Sequence, residues 1–331
     1  MGIRHVILPI ERIASRYSLQ WWRWLARSAY HLEAKVEFVG SYVSQKIKEG
    51  EFLDVYGTNL YKAHQLARLL RLLRSDHTSD FNILICDGWY PGLESLAYVR
   101  DAGRRRVRLT AILHAGTYDP WDFLTQRGLT SWAEHIERGW FHLLDRVFVA
   151  TRFHQNLLIS ARQVDPAKIS VVRFPVHYNP RHHGNPHREP IVVFPHRLAP
   201  EKDPEAFTRL HECYITRYGA TPDGLHFVTT AAGGGCRNKS QYYALLSRCR
   251  VAVSTALQET FGIAMQEAVN AGCMPVAPNR LSYPETLRGH RLYESEDEAV
   301  DLIREGLLDY KCPRVLYPGD MDDILRRFLC Q

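Results

Sequence analysis

The sequence predicts an α/β protein with two doubly wound domains, each built from parallel strands that alternate with helices. Its 331 residues suit two domains of about 150 residues each. Short apolar runs alternate with stretches of helical spacing along both halves of the chain. Between the halves, residues 175–190 contain four prolines and four histidines without periodicity, which predicts a loop or linker.

The first half contains short apolar runs that we interpret as buried parallel strands. They occupy residues 5–8, 36–39, 83–86, 109–113, 147–149 and 169–172. Residues 59–73 carry leucines at helical spacing with basic residues elsewhere, as expected of a surface helix that covers a sheet. This alternation is typical of a doubly wound domain, which we place at residues 1–178.

The same alternation begins again after the linker and predicts a second α/β domain over residues 188–331. Its predicted strands occupy residues 191–194, 225–229 and 251–254, and its predicted helices occupy residues 204–218, 240–248, 262–271, 296–305 and 321–329. Ser295 and Asp320 are suited to cap the last two helices. The pattern leaves open whether the final helix crosses back to the first domain.

Composition excludes several classes of protein. The chain has 42 Lys and Arg against 36 Asp and Glu, a net charge of +6 that permits polyanionic partners without requiring them. The seven cysteines include no CxxC pair, so we expect reduced thiols rather than a disulfide framework or a zinc module. We expect no secretion signal, no membrane insertion and a cytoplasmic protein, because no apolar stretch is long enough to span a bilayer.

Two cations follow the first predicted strand of the second domain. Arg197 and Lys202 lie in PHRLAPEKDP, residues 195–204, at the carboxyl edge of the sheet, where open α/β sheets bind ligands. Two cations beside a diphosphate would neutralise the charge that grows on a departing group. The alternative for both residues is a solvated turn.

Two glutamates flank a predicted helix start in the same domain. A strand runs into a loop with Glu259, Thr260, Phe261 and Gly262, and Glu267 follows eight positions after Glu259. A helix start has free backbone amides that bind anions. The carboxylates would stand on the order of 10 Å apart, so one could meet a sugar and the other a ribose. The alternative is an exposed helix face.

The combined pattern resembles retaining GT-B glycosyltransferases, whose signature is an Arg and a Lys after one strand followed by a Glu-x7-Glu motif. Arg197, Lys202, Glu259 and Glu267 match that signature position by position, and the resemblance covers most of residues 191–287. These segments are also similar to enzymes that glycosylate queuosine in tRNA and to phage glycosyltransferases. The resemblance implies two Rossmann-like domains that face each other across a cleft, the second of which binds the donor.

The resemblance also implies a mechanism. A nucleotide-sugar donor, with UDP favoured, would be bound by Arg197, Lys202, Glu267 and the residues Thr260, Phe261 and Gly262, with Glu259 as a catalytic residue. The departing diphosphate would take the proton of the acceptor on the same face, so that configuration is retained without a protein nucleophile. No metal and no cofactor other than the donor are expected.

Polar residues in the first half also follow predicted strands. His114 ends the run 110–113 and resembles the family's cleft histidine that touches the donor sugar; the alternative is a satisfied core or loop histidine. Asp87 follows the run 83–86 and is a candidate for binding the acceptor hydroxyl or for acid–base catalysis, with a helix N-cap or a turn as the alternative. Asp119 has the same ambiguity, and Glu11 and Arg16 lie in the first strand-end loop, which lacks glycine.

The acceptor is predicted from an Arg- and Trp-rich stretch. Residues 16–31 combine Arg16, Arg23 and Arg27 with Trp21, Trp22 and Trp24, and residues 104–108 form a second basic patch. Aromatic rings combined with arginines can bind nucleic acid by stacking and by phosphate contacts. The alternative is an amphipathic helix whose tryptophans face the core. The opening PIERIASRYSLQW resembles phage-encoded glycosyltransferases thought to decorate modified bases in DNA, which favours DNA over tRNA as partner and the host cytoplasm as location.

Several alternatives remain open on sequence alone. The acceptor could instead be tRNA queuosine, a lipid, a glycan or a small metabolite, and a sugar- or nucleic-acid-binding module with a degenerate site is the non-enzymatic alternative. Residues 233–235 are a glycine run that either approaches the nucleotide or forms a plain loop. Asp320-Met321-Asp322 is interpreted as a helix cap rather than a metal motif, and the histidines of residues 175–190 as a solvated loop. The oligomeric state is not predicted.

Overall fold

The computed structural model describes residues 2–13, 16–43, 54–219, 225–230, 236–316 and 319–330. The chain divides into two compact units. Unit 1 comprises Met1–Phe174 with Gly319–Gln331, and unit 2 comprises Pro175–Pro318. The division therefore falls where the proline-rich segment 175–190 begins. No helix in the described part of the chain is long and apolar enough to cross a membrane.

Unit 1 contains a parallel sheet with strand order β2-β1-β3-β4-β5-β6. Its strands are β1 (Ile3–Leu8), β2 (Val36–Phe38), β3 (Asp80–Ile85), β4 (Val107–Ile112), β5 (Arg146–Val149) and β6 (Ile169–Val171). Its first helices are α1 (Tyr17–His31), α2 (Val55–Ser75), α3 (Leu93–Ala102), α4 (Phe123–Gln126), α5 (Thr130–Leu143) and α6 (Arg152–Arg162). The central strands are buried on both faces, because helices cover the sheet from both sides.

Unit 2 contains a second parallel sheet with strand order β10-β9-β7-β8. Its strands are β7 (Glu189–Phe194), β8 (His226–Thr229), β9 (Cys249–Val253) and β10 (Met274–Val276). Its helices are α7 (Pro180–His183), α8 (Pro204–Tyr218), α9 (Lys239–Leu246), α10 (Ile263–Asn270), α11 (Tyr283–Thr286) and α12 (Glu296–Leu308), and they are followed by α13 (Met321–Leu329). The prediction of an α/β protein with two parallel sheets is confirmed.

Helix α13 belongs to unit 1, although residues 319–331 were predicted within the second domain with a return left open. It packs against α1, and its Phe328 side chain is completely buried. The Asn82 side-chain amide donates to the Phe328 carbonyl at 2.8 Å, which fixes the helix to strand β3. As predicted, Asp320 caps this helix, since its carboxylate accepts from the Asp322 amide at 2.9 Å.

Each sheet has one point where the chain reverses its direction of strand addition. In unit 1 this point lies between β1 and β3, and in unit 2 it lies between β7 and β9. Loops that leave neighbouring strands at such a point diverge to opposite faces of the sheet and open a crevice between them, in which doubly wound folds bind ligands. The fold therefore singles out the loops after β7 and β9 in unit 2, and the loops after β1 and β3 in unit 1.

One buried arginine ties the helices of unit 2 together. The Arg188 guanidinium donates to the carbonyls of His182, Leu246, Cys249 and Ala271 at 2.9, 3.3, 3.0 and 2.5 Å. Three of these carbonyls lie at or just past the ends of α7, α9 and α10, where the last carbonyls of a helix lack partners within it. A cation is also favoured at a helix carboxyl end. Arg188 thus satisfies three helix ends at once.

Gly272 makes room for this arginine. Its φ is +98°, and a Cβ atom at this position would overlap Arg188 Nη2. We expect Gly272→Ala to lower the free energy of unfolding by roughly 3 kcal/mol, because left-handed strain adds to displacement of the guanidinium. Gly289→Ala is the matched control, since φ there is +88° with no atom within 4 Å of the added Cβ, and it should lose only roughly 1 kcal/mol.

Chemical denaturation followed by far-ultraviolet circular dichroism measures both variants. Tryptophan fluorescence would not serve, because all seven tryptophans lie between residues 21 and 140, within unit 1. Equal losses for the two variants would show that Arg188 does not constrain residue 272.

Candidate active site

The loops after β7 and β9 are joined by hydrogen bonds to backbone carbonyls. The Glu201 carbonyl accepts from the amides of Leu257 and Gln258 at 3.0 and 3.2 Å. The Thr255 hydroxyl donates to the carbonyls of Lys202 and Asp203 at 2.9 and 2.7 Å. The predicted residues Arg197 and Lys202 lie in the first of these loops and Glu259 in the second, so the fold brings both halves of the predicted motif to the switch point of unit 2.

Lys202 connects the two loops with its side chain. Lys202 is only 8% exposed. Its Nζ donates to the Gln258 carbonyl at 2.5 Å and to Glu259 Oε2 at 3.1 Å. The following residue, Asp203, has a left-handed backbone with φ +48° and caps α8 by accepting from the Ala206 amide at 3.1 Å. This sharp turn directs Lys202 back toward the loop after β9. A solvated turn, the alternative for Lys202, is therefore wrong.

Glu259 is largely buried, with 14% of its side chain exposed, and is negatively charged in this environment. Burial alone would raise the pKa of its carboxyl group, but the charge of Lys202 and a hydrogen bond from the Gly262 backbone together hold the pKa below its ordinary value. The Phe261 amide also points toward Glu259 Oε1 at 3.5 Å. The Glu259 carboxylate thus already contacts backbone amides at this helix start, which we predicted would bind an anion.

Arg197 lies on the same loop and is partly exposed. Its side chain is 34% exposed and forms an ion pair with Glu201. Glu201 was not predicted as part of the site, although its spacing of four residues from Arg197 could have indicated the pair. The pair restrains a flexible side chain in the loop that precedes Lys202, so both predicted cations lie in one short segment at the sheet edge.

Gly262 begins helix α10 with φ +80°, a conformation that favours glycine. A Cβ atom here would lie 3.2 Å from the ring of Tyr283, so the position also lacks space for a side chain. Thr260 and Phe261 before it are buried, and the Phe261 carbonyl accepts from the Gln266 side-chain amide at 2.9 Å. The turn from β9 into α10 is therefore rigid.

Glu267 lies inside the unit rather than on an exposed helix face. It is 2% exposed; Lys239 Nζ donates to its two carboxylate oxygens at 3.1 and 2.8 Å, and the Tyr243 hydroxyl donates to Oε1 at 2.5 Å. The alternative of a solvated helix face is wrong for this residue. The sequence did not predict Lys239 or Tyr243, both on α9, because no local pattern connects them with α10. The His177 ring stacks on Tyr243 with centroids 3.9 Å apart.

A buried histidine beneath the site was also missed, although it is adjacent to Arg197 in the sequence. His196 Nε2 lies 2.9 Å from the Ser254 hydroxyl, which lies 2.5 Å from the Tyr283 hydroxyl. Burial, together with the nearby charge of Lys202, lowers the pKa of His196 to about 3. The imidazole is therefore neutral at pH 7, and this hydrogen-bonded chain supports the loops that leave β7 and β9.

In unit 1, His114 follows β4 and is enclosed by aromatic rings. Its Nε2 lies 2.9 Å from the Cys86 carbonyl, and because a carbonyl only accepts, Nε2 must carry the hydrogen. In the neutral ring Nδ1 is then an acceptor, and the Tyr17 hydroxyl lies 3.5 Å from it. Burial lowers the pKa of His114, although Asp87 opposes this shift. His114 is thus held as a neutral imidazole, with Trp21 and Phe174 packed against it.

Asp87 follows β3 and forms an ion pair with Lys62, a partner that the sequence did not predict. Lys62 is 5% exposed, and Nζ donates to Asp87 Oδ2 at 2.7 Å and to the Trp89 carbonyl at 2.6 Å. Helix α3 is capped by Gly92, so the alternative of Asp87 as its N-cap is wrong. Asp119, by contrast, is buried and accepts from the Trp121 amide at 2.9 Å, as a turn residue does.

The Arg- and Trp-rich stretch is only in part a surface. Trp21 is 1% exposed and packs in the core, so for this residue the alternative of a core-facing tryptophan holds and not stacking on nucleic acid. Trp22 packs on Phe38, and Arg12 lies 3.5 Å above its ring. In the second basic patch, Arg106 lies 3.6 Å from Asp80. That patch precedes β4 and therefore lies at the opposite edge of the sheet from Asp87 and His114.

The remaining predictions concern metals and the glycine run. Among the described ranges, no group of three or more His, Cys, Asp or Glu side chains could hold a metal ion. In the linker, His183 Nε2 donates to the Pro313 carbonyl at 2.9 Å, so this histidine is packed rather than solvated. Residues 233–235 lie outside the described residues, and their predicted approach to the nucleotide stays a prediction.

The buried His196 makes the stability of unit 2 depend on pH. A histidine whose pKa is lowered from 6.5 to about 3 by folding contributes stability above pH 6.5 that is lost as pH falls, because the unfolded chain takes up the proton first. Between pH 7 and pH 5 we expect His196→Gln to lose about 2 kcal/mol less of its free energy of unfolding than the unaltered protein. Denaturant titrations at both pH values test this, and parallel losses would refute it.

Comparisons with known proteins agree with this fold. Residues 46–179 match the model of Glycosyltransferase Family 4. A tRNA-queuosine alpha-mannosyltransferase of Drosophila melanogaster is 29% identical over 123 residues, which are 32% of this chain and 33% of that protein. The match therefore spans about a third of the relative's length.

Solved structures show the same fold over nearly the whole chain. Sucrose-phosphate synthase from Thermosynechococcus elongatus superposes with a TM-score of 0.65 at 13% identity, covering 99% of this chain and 95% of the other. An alpha,alpha-trehalose-phosphate synthase (UDP-forming) from Burkholderia vietnamiensis gives 0.62 at 11% identity, covering 100% and 95%. The predicted resemblance to GT-B glycosyltransferases is confirmed: the chain has the GT-B fold, and residues 46–179 match Glycosyltransferase Family 4. Retention of configuration and the likeness to phage enzymes stay predictions.

Proposed function

We propose that this chain transfers a sugar from a nucleotide diphosphate, with UDP favoured, to a hydroxyl group on a nucleic-acid base, with retention of anomeric configuration. The observation that carries the proposal is the meeting of Lys202 and Glu259 at the switch point of unit 2, with Arg197 on the same loop. A cationic loop beside a carboxylate suits a donor with an anionic leaving group and a sugar rich in hydroxyls.

The two cations would bind the diphosphate. The ammonium group of Lys202 has three N–H donors, of which the Gln258 carbonyl and Glu259 use two. The third can donate to a phosphate oxygen, and the partly exposed Arg197 can add a second contact. Their charge would stabilise the diphosphate as it departs, so the proposal requires no cofactor and no metal ion.

The two glutamates would bind the two hydroxyl-bearing ends of the donor. Glu259, kept ionised by Lys202, can accept hydrogen bonds from hydroxyls of the sugar. Glu267 Oε2 accepts from Lys239 Nζ at 2.8 Å, and since a carboxylate oxygen can accept two hydrogen bonds, it could also accept from a ribose hydroxyl. The buried position of Glu267 would make this contact sensitive to the shape of the donor.

In the proposed reaction the bond between the anomeric carbon and the phosphate oxygen breaks, and its electron pair leaves with the diphosphate. The acceptor oxygen forms the new bond on the same face, and its proton passes to the departing diphosphate oxygen. In unit 1, Asp87 Oδ1 can accept from the acceptor hydroxyl while Oδ2 is held by Lys62. His114, as a neutral ring, would contribute polar contact to the sugar rather than charge.

A base in tRNA is the acceptor that we favour, and a modified base in DNA is the second candidate. The curated relative is named for glycosylating queuosine in tRNA, which supports the first. The resemblance of the opening residues to phage glycosyltransferases supports the second. Lipid, glycan and small-metabolite acceptors, and a binding module without activity, are outcomes that the following experiments distinguish.

Removing Glu259 should abolish most donor turnover. We expect Glu259→Ala to lower the rate of UDP release from UDP-sugars by roughly 10²- to 10³-fold, because a charged contact in the reacting site is lost. Glu212→Ala on the exposed side of α8 is the matched control and should retain the full rate. A screen of UDP- and GDP-sugars for thermal stabilisation would identify the donor first. If neither the unaltered protein nor the variant turns over any nucleotide sugar, the proposal of an enzyme fails.

The acceptor is tested with labelled donor and a panel of polymers. We expect label to enter tRNA that contains queuosine and to remain absent from tRNA lacking it. Asp87→Asn should reduce this transfer at least ~10-fold while leaving hydrolysis of the donor by water unchanged, because Asp87 would contact only the acceptor. Label in hydroxymethylated DNA would favour the second candidate, and label only in a glycan or lipid would contradict both.

A further inference from the structure

We propose that the arginines of α1 and α2 form a docking surface for the phosphate backbone of an RNA acceptor, along the side of unit 1 where β2 is the edge strand. This deepens the proposed function and rests on it only in assigning RNA rather than another polyanion as the partner. The surface is defined by Arg23 and Arg27 of α1, by Arg68, Arg71 and Arg74 of α2, and by Arg12 in the loop before α1, together with the ring of Tyr42.

The charge of helices α1 and α2 equals the net charge of the whole chain. Helices α1 and α2 contain six Lys and Arg residues and no Asp or Glu. Removing those six from the 42 Lys and Arg of the chain leaves 36, which equals the number of Asp and Glu. A positive charge concentrated on two helices is the electrostatic footprint expected of a nucleic-acid-binding protein.

Within the described part of the chain, no carboxylate forms an ion pair with the arginines of this surface. This holds for all six arginines that define the surface, whereas Lys62, the other cation of α2, is paired with Asp87. Unit 2 shows the opposite arrangement: Arg209 pairs with Glu296 at 2.9 Å, and Arg217 pairs with Asp297 and Asp301. The charge of α1 and α2 is therefore available to an external anion.

The fold places both helices beside the same strand. Helix α1 packs with α13, and α2 packs through Leu69 and Leu73 into the core that contains Leu93 of α3. The helices thus cover opposite faces of the sheet, as right-handed crossovers require when β2 lies at its edge. Trp22 of α1 packs on Phe38 at the end of β2, with ring centroids 5.2 Å apart. Basic helices therefore flank the edge strand from both sides.

Arg68 and Arg12 are held by contacts that orient their guanidinium groups. Arg68 Nη1 donates to the Gly40 carbonyl at 2.7 Å, and its guanidinium lies 5.6 Å from the ring of Tyr42. Arg12 lies over Trp22. Tyr42 is 89% exposed, so one face of an aromatic ring beside an arginine is open to solvent. Aromatic rings next to cations bind unpaired bases together with their phosphates, which favours RNA over an anionic membrane.

The test compares matched pairs of substitutions in the full-length protein. Arg71→Gln with Arg74→Gln removes two exposed charges of the surface, as does Arg23→Gln with Arg27→Gln. The control, Arg209→Gln with Arg217→Gln, removes two charges from α8. Binding of an unmodified tRNA transcript is measured by fluorescence anisotropy over a range of NaCl concentrations, and circular dichroism verifies folding.

We expect each surface pair to weaken tRNA binding roughly tenfold at low salt and to reduce the slope of log affinity against log salt by about 1 to 2, since each phosphate contact contributes about 0.7 to 0.9. The control should bind within about twofold of the unaltered protein. Equal weakening of the surface pairs and the control would overturn the proposal, as would binding to phosphatidylserine vesicles with no binding to tRNA.

Release of UDP to water, measured in the same variants, separates this inference from the proposed function. The surface pairs should retain it, because none of their residues lies in the loops after β7 and β9. If the unaltered protein released no UDP but bound tRNA through these arginines, the proposed transfer would fail and the docking surface would stand.

Discussion

The arrangement of the loops at the switch point of unit 2 depends on the ion pair between Lys202 and Glu259. A carboxylate as buried as Glu259 is unfavourable without a nearby cation, and Lys202 supplies that cation from the loop after the neighbouring strand. The same ammonium group donates to the Gln258 carbonyl, so it holds the backbone of one loop against the other. Removing either partner would leave a buried charge unpaired, and removing Lys202 would also remove one of the hydrogen bonds that join the two loops.

Unit 1 repeats this arrangement with different residues. Lys62 is buried, donates to the carboxylate of Asp87 and donates also to the Trp89 carbonyl in the same loop. In both units a buried lysine thus orients an acidic side chain at the switch point of a parallel sheet and fixes the loop that bears it. The two sheets have six and four strands, so the paired lysine and carboxylate do not follow from an identical sheet. They reflect a shared physical requirement, since a partly buried carboxylate at a sheet edge needs a fixed cation.

Sequence patterns predicted most strands, because short apolar runs in a parallel sheet are buried on both faces. They also predicted the capping of α12 and α13 by Ser295 and Asp320, a local interaction.

The sequence patterns missed β10, whose three residues include Pro275. An edge strand tolerates a proline, but so short a run has no periodicity. The partners of Glu267 and Asp87 could not be predicted, since Lys239 and Lys62 meet them only through tertiary packing. For the same reason the sequence left open whether Trp21 binds nucleic acid or packs in the core, because helical spacing does not reveal which face of a helix a sheet will cover.

The position of α13 affects how the protein folds as it is made. Unit 2 is continuous in sequence, whereas unit 1 needs residues 319–330, which the ribosome adds after all of unit 2. Ile324, Leu325 and Phe328 of α13 are completely buried, so until they emerge the nascent unit 1 exposes the apolar surface that they later cover. Unit 2 can therefore complete its core first, and the earlier part of the chain remains open to chaperones and to misassociation for longer.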